Sequence, residues 1–278
     1  MPRLLFLALL LFVATPWARA ERATDSEARV ALVIGNASYK ESPLKNPVND
    51  ARAVAAKLRG LGFDVVERHN LSQRQIGRTL SEFRGKLTPG GTALFFYAGH
   101  GLQVEGVNYL PAVDADIGTE EDVPNQSINV DQVLRVMEGG KTGVNLVFLD
   151  ACRNNPYSRS FRSAGEGLAK VNAPSGTLIF YATRPGSVAA DGDGQNGLYT
   201  QNLLVAMEMP GLTVEQVQKR VAAGVRQRSN GRQEPWMEGL LDGDFYFKRG
   251  APASVVPDPV RDERGLKPVP APRETSVE

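Results

Sequence analysis

Reactive side chains are scarce in this chain. Cys152 is the only cysteine among 278 residues, and His69 and His100 are the only histidines. One cysteine rules out an internal disulfide framework. One cysteine and two histidines also fall short of the four ligands of a standard structural zinc site, so neither a metal nor a cofactor is expected. An excess of one charge sign is missing as well: 32 basic residues face 31 acidic ones, a net +1. No basic stripe interleaved with aromatics is present, which argues against a nucleic-acid partner. The chain has no Walker loop, no dinucleotide fingerprint and no G-x-S-x-G elbow.

The apolar run Leu4–Ala14 falls short of the ~20 residues that a membrane span needs. With Arg3 before it and Ala18-Arg19-Ala20 after it, residues 1–20 read as a secretory signal peptide. The mature chain is then exported, to a periplasm or beyond, with no membrane span. Residues 21–28 read as a flexible leader and 29–249 as one folded domain. Residues 250–278, rich in proline and charge, read as a disordered tail. In an oxidising compartment a lone cysteine has no internal partner, so it is either inert and buried or reactive.

Short apolar runs alternate with helical stripes. Strands are expected at 29–35, 63–67, 92–97, 144–149 and 177–182, with a last one at Asp244–Phe247. Between them, Asn46-Pro47 opens a helix with Asn46 as cap. Ser72-x-x-Gln75 and Thr213-x-x-Gln216 are capping boxes, and Asn129 caps a further helix. Residues 101–128 and 153–176 carry no period and read as irregular. This pattern predicts an α/β fold with a mostly parallel sheet covered by helices on both faces.

Two of the strands end in reactive residues. TALFFY runs into Ala98-Gly99-His100-Gly101, and LVFL runs into Asp150-Ala151-Cys152. Ligands and chemistry gather at the carboxyl ends of strands in open α/β sheets. An imidazole beside a thiol there can serve as base to nucleophile. The glycines around His100 let backbone come close to a substrate, with the Gly101 amide as a donor. His69 reads as an exposed loop residue. Asp191-Gly192-Asp193-Gly194 begins like a calcium loop, but Gln195, Asn196 and Asn202 break the pattern, so a glycine-rich turn is preferred. Asn36-Ala37-Ser38 and Asn125-Gln126-Ser127 match the short glycosylation sequon.

FFYAGHG followed by LVFLDACRNNP resembles the histidine and cysteine motifs of the caspase-like cysteine peptidases, closest to the metacaspase and paracaspase branch and its bacterial relatives. ALVIGNASY, LKNPVNDA and FYATRPGSVAADGDGQNGLYT extend the likeness over roughly residues 28–248. The resemblance implies a caspase–haemoglobinase fold with a six-stranded sheet. It implies a His100/Cys152 dyad and an oxyanion hole from the amides of Gly101 and Cys152. It also implies that Asp150 lines a substrate pocket together with Asp50 and Asp191. Three carboxylates suit an arginine or lysine side chain. The expected partner is therefore a polypeptide with a basic residue before the scissile bond. Arg153 stands where many metacaspases have His-Ser-Gly. A silent caspase-like binding module is the alternative, and both dyad residues being present speaks against it. Arg159, Arg162 and Lys170 are candidate points of self-cleavage in the long connection after Cys152. The sequence leaves the oligomeric state and the choice between Arg and Lys open.

Overall fold

The computed structural model describes residues 28–151, 157, 167–184 and 194–250. In chain order the elements are β1 (Arg29–Gly35), α1 (Pro47–Gly60), β2 (Phe63–His69), α2 (Gln73–Lys86), β3 (Thr92–Ala98), β4 (Leu102–Val104) and β5 (Val107–Pro111). They continue with β6 (Ser127–Asn129), α3 (Val130–Gly139), β7 (Val144–Asp150), β8 (Thr177–Tyr181), α4 (Leu198–Ala206), α5 (Val214–Arg228) and β9 (Trp236–Leu240). The main sheet has the order β2-β1-β3-β7-β8-β9. Its first five strands are parallel and β9 is antiparallel.

The chain steps from β1 one way to β2, then back past β1 to β3. Right-handed crossovers therefore put α1 and α2 on opposite faces of the sheet. Helix α4 packs on α1 and on α5, while α3 packs on α2, which completes the two layers. Between them β3 is buried along its whole length, as a run apolar on both faces requires. Phe148 stacks on Phe180 across β7 and β8, with centroids 4.4 Å apart, an arrangement worth about 0.5–1.5 kcal/mol beyond its area.

The helix starts follow the sequence with one exception. Both capping boxes form, the Asn129 side chain accepts from the Asp131 amide, and Pro47 opens α1. Asn46, however, is in the helical region and makes no side-chain cap. Two stretches differ from expectation. Residues 101–128 hold a second, three-stranded antiparallel sheet, β4-β5-β6, and a short 3-10 helix, Glu120–Asn125. Its hairpin turns on Glu105 and Gly106, at φ 50° and 78°, the two-residue geometry in which both residues take positive φ. The sixth main strand is Trp236–Leu240, not Asp244–Phe247. Phe245 and Phe247 instead turn inward as core residues, and only Tyr246 makes an isolated bridge, to Thr213. The exposed Trp236 and Leu240 and the glycine between them hid β9. Among the described residues no helix is long and apolar enough to cross a membrane.

Four strands end at one level: His69, Gly35, Ala98 and Asp150 lie side by side in register. The order reverses between β1 and β3, so the crevice above that junction is where a ligand site is expected. The loop leaving β1 is pinned across it by two asparagines. Asn36 is buried; its amide donates to the Pro111 carbonyl and its oxygen accepts from the Leu71 amide. Asn70, at φ 51°, accepts from the amides of Ala37 and Ser38. Burial at 1% exposure removes Asn36 from consideration as a glycosylation acceptor in the folded protein. Asn36→Leu keeps the fork at Cγ, adds the bulk of two methyl groups and leaves a buried N–H and a buried C=O without partners. We expect it to lower the unfolding free energy by about 2–4 kcal/mol in urea titrations.

Candidate functional site

His100 sits two residues beyond β3, at the point where the strand order reverses, and is buried at 3% exposure. Its Nε2 lies 2.7 Å from the Ser42 carbonyl oxygen. A carbonyl only accepts, so Nε2 carries the proton and Nδ1 is the basic nitrogen of the neutral ring. Ser42 is held at φ 52°, an uncommon conformation for a residue other than glycine. Tyr39 packs its ring on the imidazole, centroids 4.5 Å apart. The Tyr39 hydroxyl accepts from the His100 amide at 3.0 Å, and the Tyr97 hydroxyl donates to the His100 carbonyl at 2.9 Å. Gly99, at φ 156°, leaves room for this: a Cβ there would lie 2.6 Å from both hydroxyl oxygens.

Gly101 packs against the end of β7. A Cβ on it would stand 2.5 Å from the Ala151 carbonyl oxygen and 2.9 Å from a Leu168 methyl, so only glycine fits this approach. The β3 and β7 ends thus meet one residue before Cys152. Cys152 and Asp191 themselves lie outside the described residues.

The other two predicted acids reach one helix terminus. Asp150 is buried and its Oδ2 accepts from the Thr200 hydroxyl at 2.9 Å. Asp50 is fully buried; its Oδ1 accepts from the Asn196 side chain and from the Gly197 amide, both at 2.9 Å. Gly197 is the N-cap of α4 and Thr200 lies in its first turn. Both carboxylates therefore sit where the exposed amides and the dipole of α4 favour negative charge. Asp50 belongs to the first turn of α1, yet these bonds of its side chain serve the next layer's helix. Beside it a polar cleft of about 450 Å³ opens between Asn49, Arg52, Ala53, Gln195 and Asn196.

Two further expectations meet the structure here. His69 ends β2, half-buried, with Nε2 2.8 Å from the Glu67 carboxylate, rather than standing in an exposed loop. Of the candidate self-cleavage points, Arg159 and Arg162 fall outside the described residues. Lys170 is anchored: Leu168 and Val171 beside it are buried, its amine pairs with Glu238 at 2.8 Å, and Asn108 exchanges two 2.7 Å bonds with the Ala169 backbone. Tyr39, Ser42, Tyr97 and Thr200 were not singled out from the sequence. A tyrosine inside the buried run TALFFY was the one available signal, because a buried hydroxyl demands a partner.

A caspase-type architecture, five parallel strands with an antiparallel sixth between two helical layers, is what these elements define. The family model described as the caspase domain matches residues 28–246, and the chain belongs to that family. It is 36% identical over 177 residues to the human mucosa-associated lymphoid tissue lymphoma translocation protein 1, covering 61% of this chain and 20% of that protein. The mouse homolog is 37% identical over 166 residues, 58% of this chain and 19% of its own length. The chain thus spans about a fifth of the curated relatives it matches.

Burial raises the phenols of Tyr39, Tyr97 and Tyr199 well above the ordinary range, with the Asp150 charge adding to the effect at Tyr199. Tyr157 is pushed up to about 12 by burial, then by Glu41 and Asp116. An acid with a raised folded pKa holds its proton more tightly in the folded state. Its contribution to stability is complete below the unfolded value of ~10 and is lost as pH climbs through the folded value. In an alkaline titration followed by phenolate absorbance, Tyr39, Tyr97 and Tyr199 of the seven tyrosines should stay un-ionised until the protein unfolds.

Proposed function

We propose that this caspase-family protein is an exported cysteine endopeptidase, in which His100 and Cys152 form the dyad, that cuts after arginine or lysine. The observation that carries the reading is the His100 ring, fixed with Nε2–H on the Ser42 carbonyl at the end of β3. Gly101 beside it packs on Ala151, the residue that precedes Cys152 in the sequence.

The chemistry follows from these roles. Nδ1 takes the thiol proton, and the thiolate attacks the scissile carbonyl carbon. The amides of Gly101 and Cys152 receive the developing oxyanion. The imidazolium returns its proton to the leaving amine as the C–N bond breaks. Water then hydrolyses the thioester, with His100 again as base. Asp150, oriented by Thr200, supplies negative charge for a basic side chain, with Asp50 and Asp191 as the further acids of the pocket. Residues 1–20 direct export and are removed, which N-terminal sequencing of the protein recovered from outside the cytoplasm would check.

His100→Ala and Cys152→Ala should each abolish hydrolysis of fluorogenic peptides while leaving the circular dichroism spectrum unchanged. Activity of either variant near that of the parent sinks the dyad. Loss in neither, with no hydrolysis by the parent, favours a silent binding module.

In a peptide panel varied before the scissile bond, arginine or lysine should be preferred. Asp150→Ala should weaken kcat/KM on those substrates by the equivalent of about 2–5 kcal/mol, the loss typical of truncating one side of a desolvated charge pair. A preference for aspartate would overturn the pocket assignment.

A further inference from the structure

We propose that Tyr39 and Tyr97 are positioning residues for His100, closing a ring of hydrogen bonds around its peptide groups that holds the imidazole on the Ser42 carbonyl. The inference rests on the dyad reading above and extends it to residues outside the motif's reactive pair.

The directions of the bonds settle one another. The His100 N–H donates to the Tyr39 oxygen at 3.0 Å, so that oxygen is an acceptor there. The Tyr97 hydroxyl donates its single proton to the His100 carbonyl at 2.9 Å. A phenol has one O–H to give. The 2.9 Å contact between the two hydroxyls must therefore run from Tyr39 to Tyr97. The result is a closed circuit: His100 N–H to Tyr39, Tyr39 to Tyr97, Tyr97 to the His100 carbonyl. Each hydroxyl donates once and accepts once. Bonds arranged head to tail in this way polarise one another in a low-dielectric interior.

Three features tie the circuit to the ring's position rather than to general stability. It grips the N–H and the C=O of His100 itself, so both peptide planes that set its Cα–Cβ direction are held. The Tyr39 ring also packs on the imidazole. The same short loop from β1 brings Tyr39 and, three residues on, the Ser42 carbonyl that receives Nε2–H. Both tyrosines are buried and the ionisation of their phenols is pushed well above its usual range, so the circuit keeps its protons throughout neutral pH.

The test uses the full-length protein, with Tyr39→Phe and Tyr97→Phe made singly. Two assays are run: hydrolysis of a fluorogenic peptide carrying arginine before the reporter, and alkylation of Cys152 by iodoacetamide as a function of pH. Each variant should lose kcat by about 10–100-fold, the scale of a small misplacement of a catalytic group. KM should change by less than about twofold, since the peptide is still bound. The midpoint of alkylation should move up towards the ~8.5 of an unassisted thiol. Variants that melt earlier but keep the parent's kcat and alkylation profile would reduce the circuit to a structural role and overturn the proposal. His100→Ala separates the two levels of inference. If it leaves the parent's alkylation rate intact, the dyad reading falls and the proposal with it. If it removes that rate while both tyrosine variants retain it, the dyad stands and the proposal alone falls. Hydrogen exchange on the parent provides a check that needs no variant to fold: the His100 amide should be as protected as the amides of β3, and rapid exchange there would overturn the circuit.

Discussion

From Thr92 opposite Val144 to Ala98 opposite Asp150, β3 and β7 pair in parallel without a bulge. A slip of one residue would turn every side chain of one strand to the other face. Phe148 would leave Phe180, and the turn carrying His100 would no longer meet the end of β7. Gly101 guards this register at close quarters, because its contact with the Ala151 carbonyl leaves no room for a side chain. The loop from β1 is then laid over the junction by Asn36 and Asn70, and it brings Tyr39 and Ser42 to His100. The precision of the site is thus inherited from backbone pairing, with side-chain hydrogen bonds fixing only the last few ångströms.

The start of α4 serves as a second fixed point. Asp50 comes from α1 and Asp150 from β7, and both attach within the first turn of the same helix. Neither acid can shift without disturbing the placement of that turn. Buried carboxylates are tolerated where donors and a favourable dipole compensate for lost water, and α4 supplies both.

Much of the architecture was legible in the sequence because its signals are local. Val130, Val133, Leu134 and Met137, read as one helical stripe, are all buried in α3. The parallel strands declared themselves through continuous apolar runs, and His100 stood out by its place after one of them. The misses come from non-local effects. Asp244–Phe247 has strand-like composition, but its phenylalanines fill the core beside Phe148, and tertiary packing overrode propensity. The hairpin at 102–111 is short, and its turn depends on Glu105 taking positive φ, which composition does not announce. The family resemblance marked Asp50 as a pocket acid; only the fold shows that its carboxylate reaches the N-terminus of a helix about 150 positions later. The aligning partners of His100 are a backbone carbonyl and two phenols, and no sequence period marks such a set.

The pairing of Asn108 with Ala169 has a consequence for the chain as an assembled object. The amide side chain of Asn108 mimics a strand peptide, giving one bond and taking one from the Ala169 backbone. Leu168 and Val171 are sunk on either side, while upstream Tyr157 has its own buried seat in the smaller apolar cluster. If the backbone were cut between Tyr157 and Leu168, each part would keep a buried attachment, Tyr157 on one and Leu168 on the other. The halves would remain interlocked through the shared sheet, since β7 and β8 pair across the break. Such a nicked molecule would keep the size and shape of the intact one in solution and come apart only when denatured.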